Sequence, residues 1–388
     1  MPKNIYLDNN STSPLAPEVL DAMLTSLRGK CGNASSIHAA GREAKKALEE
    51  SRETIARIVG ASRPECICFT GSGSEADNMA IQGVARALRN RGNHIVTSAV
   101  EHPAVLSTCK YLEEEGAQVT YVMPDETGFI RAESVAGALR GDTILISIMH
   151  ANNETGTINP IADIGRIARE RNILFHTDAV QSFCKLPFTV DELGVDLLSI
   201  SAHKINGPQG VGALYVREGV PLKPLIYGGH QEASRRAGTE NIAGIVGIAK
   251  AARLGHEGLE VETWRVKALR DKLEIGLLEK VPHTRLNGHP ALRLPNTLNL
   301  SFPFVESESL LLELDLKGVA VSSGSACTSG TGEPSHVLLA MGIPHEICRG
   351  ALRFSLGKEN TEPEIDYVLD VLPEIVERIR AMSPLSAP

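Results

Sequence analysis

Polar residues that could do chemistry recur in this sequence at the ends of short apolar runs. Those are the positions at which an open parallel sheet presents ligands beyond the carboxyl ends of its strands. The run ILFHT ends in Asp178, with Gln181 a turn further on, and the run DLLSIS ends in Ala202-His203-Lys204. A lysine at a strand end can form a Schiff base if burial lowers its pKa. A carboxylate on a neighbouring strand can hold a pyridinium nitrogen protonated and make its ring an electron sink. Lys204 and Asp178 have the types and the order for these two roles. Singly, each also has a structural reading, Asp178 as a helix cap and Lys204 as a solvated charge; it is the pair that points to chemistry. The run ICF ends in TGSGSEADN, where Gly71, Gly73 and Ser74 would offer backbone N–H groups and a hydroxyl to a phosphate at a helix start. The same stretch can be a plain turn with Ser74 as the cap, and it lacks both the lysine of a P-loop and the spacing of a dinucleotide fingerprint.

The elements that must position these residues are legible as a pattern. From about residue 15 to 255, helix-period segments alternate with the runs ICFTG, HIVTS, QVTYVMP, TILISIMH, ILFHTDA, DLLSISAH and GVGALYV. Such alternation argues for an α/β fold with a mainly parallel sheet covered by helices on both faces. Helices are expected over Arg42–Val59, stopping at Gly60, and over Ala76–Leu88. After His256 the pattern changes to a long polar helix through Trp264 and Leu278, a strand-like TLNLSF, a Gly/Ser-rich loop over 322–333 and a final helix from Glu362 to Met382. The expected division is a large domain over 15–256 and a smaller α+β domain made from 1–14 and 257–388.

Composition narrows the partners. Of 388 residues, 42% are hydrophobic, and 39 basic against 47 acidic residues leave a net charge of -8. Nucleic acid and anionic membrane would be repelled on average, so neither is expected as a partner. The start, MPKNIYLDNN, has no apolar leader and no stretch reads as a membrane span, which gives a cytoplasmic expectation. Seven cysteines, an odd number and scattered, read as reduced thiols and not as a disulfide framework. Cys66 and Cys68, alternating with Ile67, read as small buried strand residues, and no metal site is expected.

Many segments together resemble the NifS/IscS group of cysteine desulfurases: YLDNNST, GNASSIH, FTGSGSEADN, EHPAV, HANNETG, HTDAVQS, SAHKINGPQGVGALYV, RRAGTENI, SSGSACTSG, EPSHVL and RFSLG. The likeness spans nearly the whole chain. SSGSACTSG resembles the long, mobile cysteine loop of the first class of these enzymes. The resemblance implies the type I pyridoxal-phosphate transferase (aspartate aminotransferase-like) fold, a homodimer, and pyridoxal 5'-phosphate as cofactor. It implies conversion of L-cysteine to L-alanine with the sulfur left as a persulfide on Cys327, for iron–sulfur cluster assembly through a NifU/IscU-like scaffold or another acceptor.

By the same resemblance, Lys204 would carry the cofactor and shuttle the Cα proton, and Asp178 would pair with the ring nitrogen. Gln181 would hydrogen-bond the ring hydroxyl, and His102 would stack on the ring and assist proton transfer. Gly73, Ser74, Ser201 and His203 would hold the phosphate, with Thr239 reaching across from the partner subunit. Asn153 and Arg353 would grip the substrate carboxylate, the guanidinium through two parallel hydrogen bonds. Cys327 would attack the substrate sulfur. Its neighbours in SSGSACTSGTGEP include no bulky apolar residue, so the segment should move easily. Cys31, Cys66, Cys68, Cys109, Cys184 and Cys348 are expected to be packing residues. Three departures from the family pattern stand out: Ser74 for the usual Thr, RRAGT for RSGT, and SFC at 182–184. The short end after SPLSAP favours the NifS-like branch over the IscS-like one.

Overall fold

The computed structural model describes residues 4–29, 32–323 and 334–382. Its strands are β1 (Ile5–Tyr6), β2 (Ile67–Thr70), β3 (His94–Ser98), β4 (Gln118–Val122), β5 (Thr143–Ser147), β6 (Leu174–Asp178), β7 (Leu197–Ser201), β8 (Gly212–Val216), β9 (Arg285–Asn287), β10 (Thr297–Ser301), β11 (Val319–Ala320) and β12 (Ala351–Ser355). A seven-stranded sheet has the order β2-β8-β7-β6-β5-β3-β4. Only β8 runs against its neighbours, pairing antiparallel with both β2 and β7. The expectation of a mainly parallel α/β sheet therefore holds. Six strands end at one edge, and the central ones are buried on both faces, which is why they read as unbroken apolar runs.

Helices cover both faces. On one side Ala39–Val59, which ends with Gly60 in the left-handed conformation (φ 73°), packs with Ile242–Glu257 and the strands around Phe175 and Ile200. On the other, Gly73–Ala87 and Pro103–Glu114 cover Ile95, Leu145, Leu197 and Leu214. A separate core gathers Leu273, Leu298, Phe302, Leu352, Phe354 and Leu372 from helices Leu259–Lys280 and Glu362–Met382 and the antiparallel sheet β12-β10-β9. The N-terminal β1 pairs with β11 across 314 residues of sequence, Ile5 against Val319, and so carries Asp8 to Ser11 over the end of the large sheet. That crossing builds the second wall of the site.

Two expected helix starts are corrected, and the helix ending at Val59 begins at Ala39, not Arg42, with His38 as its cap. The helix after β2 begins at Gly73, not near Ala76, and its cap is Ser72, whose Oγ accepts the Glu75 N–H at 3.1 Å. Ser74 therefore lies within the first turn. Among the described residues no helix is long and apolar enough to cross a membrane.

Candidate active site

Strand ends deliver the first wall. Gly73 opens its helix so close to β6 and β7 that a Cβ there would lie 2.8 Å from Val180 Cγ2 and 3.2 Å from Ser201 Cβ. Glycine is required for that approach, and it leaves the helix N-terminus facing the cleft. His102, following β3, caps the helix Pro103–Glu114, its Nδ1 accepting the Ala104 N–H at 3.1 Å. In the neutral ring the hydrogen is consequently on Nε2. Asp178 ends β6, and its Oδ1 accepts the Val180 N–H at 2.8 Å. Ser201 ends β7, and a short turn over Ala202–Lys204 follows directly.

The facing wall comes from the N-terminal segment and β12. Arg353 is 2% exposed and donates to Asn153 O (2.9 Å), Asp8 Oδ1 (2.9 Å) and Ser11 Oγ (2.7 Å). Lys204 Nζ donates to Asn10 O at 2.5 Å and Ser11 O at 2.7 Å. Between the walls lies a cavity of about 280 Å³, lined by Gly73, Ser74, His102, Asn153, Asp178, Gln181, Ser201, His203, Lys204 and Arg353. Thr239 is not in this cleft; it lines a separate hollow with Gly71 and Arg236. Cys327 lies outside the described residues.

Burial sets the electrostatics. Asp178 is raised to about 6 by burial, against the pull of the Val180 N–H and of Lys204. Asp77, behind it, is raised well above the usual carboxylate range by burial and by the Asp178 charge. Glu101 is pushed up to about 8 by burial, although its Oε1 accepts from the Ser98 hydroxyl (2.6 Å) and the Met149 N–H (2.9 Å). His102 is depressed to about 4 by burial and then by Lys204 and His336, so it is neutral at ordinary pH. His203 falls to about 4 from burial, with Lys204, Lys185 and His102 adding to it.

These residues fit pyridoxal phosphate. Ser201 Oγ is buried without a hydrogen-bond partner, a hydroxyl beside the Gly73 helix N-terminus that a phosphate oxygen would satisfy. Asp178 offers a dry carboxylate for a ring cation, and Lys204 an amine in the same cavity.

Fold and cleft together define a class, the type I pyridoxal-phosphate transferases, and residues 5–368 match the class-V aminotransferase family. The chain belongs to that family. It is 53% identical over 384 residues to a protein of Dictyoglomus turgidum named cysteine desulfurase IscS, covering 99% of this chain and 97% of that one. It is 51% identical to the cysteine desulfurase IscS of Methanosarcina thermophila, covering 99% and 95%. A solved structure called a NifS-like protein superposes with a TM-score of 0.91 at 41% identity, over 97% of this chain and 100% of that one. The expected membership in the cysteine desulfurase group is thus supported along the whole chain, and the names of its relatives include both IscS and NifS-like.

Several residues now seen at the site had no assigned role in the sequence. Asp8 and Asn10 stand in YLDNNST, Asp77 in GSEADN, Glu101 in EHPAV and His336 in EPSHVL. The motifs were conspicuous, but only the fold shows that Asn10, Asp77 and His336 line the cleft while Asp8 and Glu101 lie behind it. Lys185, beside Gln181, carried no signal at all. Of the other cysteines, Cys68 on β2 and Cys109 are buried with thiols raised by desolvation, as is Cys348. Cys66, also buried, precedes the strand in a short turn over Pro64–Cys66. Cys184 is partly buried with φ 57°, its thiol raised to about 12. Packing describes these five, and Cys31 lies outside the described residues.

Proposed function

We propose that this chain is a pyridoxal-phosphate-dependent cysteine desulfurase that converts L-cysteine to L-alanine and leaves the sulfur as a persulfide on Cys327. The observation that carries this reading is the convergence of Lys204, Asp178 and Arg353 on one buried cavity. Gly73, Ser74, Ser201 and His203 would hold the phosphate, joined by the partner's Thr239 in a homodimer. Asp178 would face the ring nitrogen, Gln181 the ring oxygen and His102 the ring face. When bound, the cofactor supplies an electron sink that weakens the substrate Cα–H bond and opens its sulfur to attack.

The chain's own residues do the rest. Arg353, already aligned by Asp8 and Ser11, presents its N–H groups to the substrate carboxylate, with Asn153 beside it. Lys204 Nζ takes the Cα proton and can return it, being held close by two backbone carbonyls. His102 stays neutral, stacking and donating through Nε2. The substrate C–S bond breaks as an S–S bond forms on Cys327, whose thiol proton ends on the alanine methyl. The persulfide would then pass to a scaffold for iron–sulfur cluster assembly or to another acceptor, in the cytoplasm.

Mass spectrometry after treatment with cysteine tests this. One added sulfur on the Cys327 peptide and an equivalent of alanine are expected, both lost in Cys327→Ser while the bound cofactor keeps its visible absorption. Keto-acid formation without persulfide would instead indicate an aminotransferase.

A further inference from the structure

Gln181 is the residue through which the cleft reaches its less obvious neighbours. Its Nε2 donates to Asn10 O at 3.0 Å, and its Oε1 accepts from Lys185 Nζ at 3.1 Å. A backbone carbonyl can only accept, and a lysine amine here can only usefully donate, so the two contacts fix which end of the amide points where. The second Nε2 hydrogen is then left for the cavity that Gln181 lines. Lys185 Nζ also lies 3.5 Å from Asn10 Oδ1, and the same Asn10 is held by Thr297 Oγ1 (2.9 Å) and Asn296 Nδ2 (3.0 Å). Lys204 donates to the Asn10 carbonyl as well. Lys185, Gln181, Asn10 and Lys204 thus form one connected chain of hydrogen bonds running past the cleft.

Lys185 sits among like charges. Burial, then Lys204 and then Arg353 depress its amine to about 7, with the Cys184 thiol acting weakly the other way. A third basic group beside a cluster that already contains Lys204 and Arg353 is unfavourable unless it does something there. A simple packing role would be filled as well by an apolar side chain of the same length.

We propose that Lys185 is a positioning residue for the cofactor: it locks the Gln181 amide so that an N–H, and not the carbonyl, faces the ring oxygen. This rests on the pyridoxal-phosphate reading above. Lys185 does not line the cavity, and its route to the ring oxygen runs through Gln181. A donor at the ring oxygen stabilises that oxygen's anionic form, and a carbonyl turned toward it would repel it.

Titration of the apoprotein with pyridoxal phosphate, reading affinity and the visible absorption of the bound cofactor, tests the assignment. Lys185→Met should weaken binding roughly 3- to 10-fold and shift the absorption in the same direction as Gln181→Leu. The double variant should bind about as Gln181→Leu alone does, because removing Gln181 removes what Lys185 acts on. Lys185→Arg, which keeps a donor, should recover most of the wild-type absorption. Full additivity of the two single changes would overturn the proposal, as would a Lys185→Met absorption identical to wild type or a Gln181→Leu spectrum with no shift. Wild-type protein that takes up no cofactor would instead sink the reading on which the proposal rests.

Discussion

The two walls of the cleft hold opposite charges, and burial acts on them in opposite directions. The sheet wall carries Asp77, Asp178 and Glu101, all with raised pKa. The wall built from the N-terminal segment and β12 holds Arg353 and draws the Lys204 amine to its Asn10 and Ser11 carbonyls, and Lys185, behind Gln181, has its amine depressed. The buried acids and the Lys185 amine resist their own charge for lack of water, and each sign is relieved by a guest of the other. A ring cation relieves the acids, and a substrate carboxylate relieves the bases. The comparison teaches that the charges of the cleft are set in a pattern that matches a zwitterionic guest.

The largest break in this pattern is Asp178→Asn. Without a carboxylate against the ring nitrogen the electron sink fails, and kcat should fall roughly a hundredfold or more, with cofactor still bound through Lys204. A variant within a few-fold of wild type in steady-state alanine release would remove Asp178 from the account. On the opposite wall, Arg353→Lys keeps the charge but loses the parallel N–H pair. The loss should appear mainly in KM for cysteine, roughly 10- to 50-fold. An unchanged KM would place the carboxylate elsewhere.

A smaller effect sharpens the contrast through stability. Glu101 has a folded-state pKa of about 8 against an ordinary 4.5, so the native state keeps a proton that the unfolded chain has released. Stability therefore falls as pH rises through that window. Glu101→Gln keeps an acceptor for the Ser98 and Met149 hydrogens but cannot ionise. The two apoproteins should melt alike at pH 5, and the variant should gain, on the order of a few kcal/mol, by pH 8.5. Parallel melting curves across that range would show Glu101 to be ionised already.

Much of this was legible in the sequence where a strand end and a reactive side chain coincide. Asp178 and Lys204 declared themselves because an apolar run stops abruptly at each. The parallel sheet was legible from the same runs, but the reversal of β8 was not, since a strand buried on both faces reads identically in either direction. The start of the helix after β2 was misplaced by three residues although Ser72 and Glu75 have the spacing of a capping pair; Glu75 in fact turns back to the Gly71 N–H at 2.7 Å. The second wall was hidden for a different reason. Arg353 meets Asp8 across 345 residues, a pairing set by the β1–β11 crossing and by nothing local. Lys185 was invisible because its meaning depends on the orientation of one neighbouring amide.

Reduction with borohydride after addition of pyridoxal phosphate, followed by peptide mapping, examines the arrangement most directly. Among the described residues Lys185 and Lys204 lie near the cleft, and of these two Lys204 lines the cavity shared with Asp178. The expected result is a single phosphopyridoxyl group on the Lys204 peptide, absent in Lys204→Ala. Labelling of Lys185 instead, or of neither, would contradict the account.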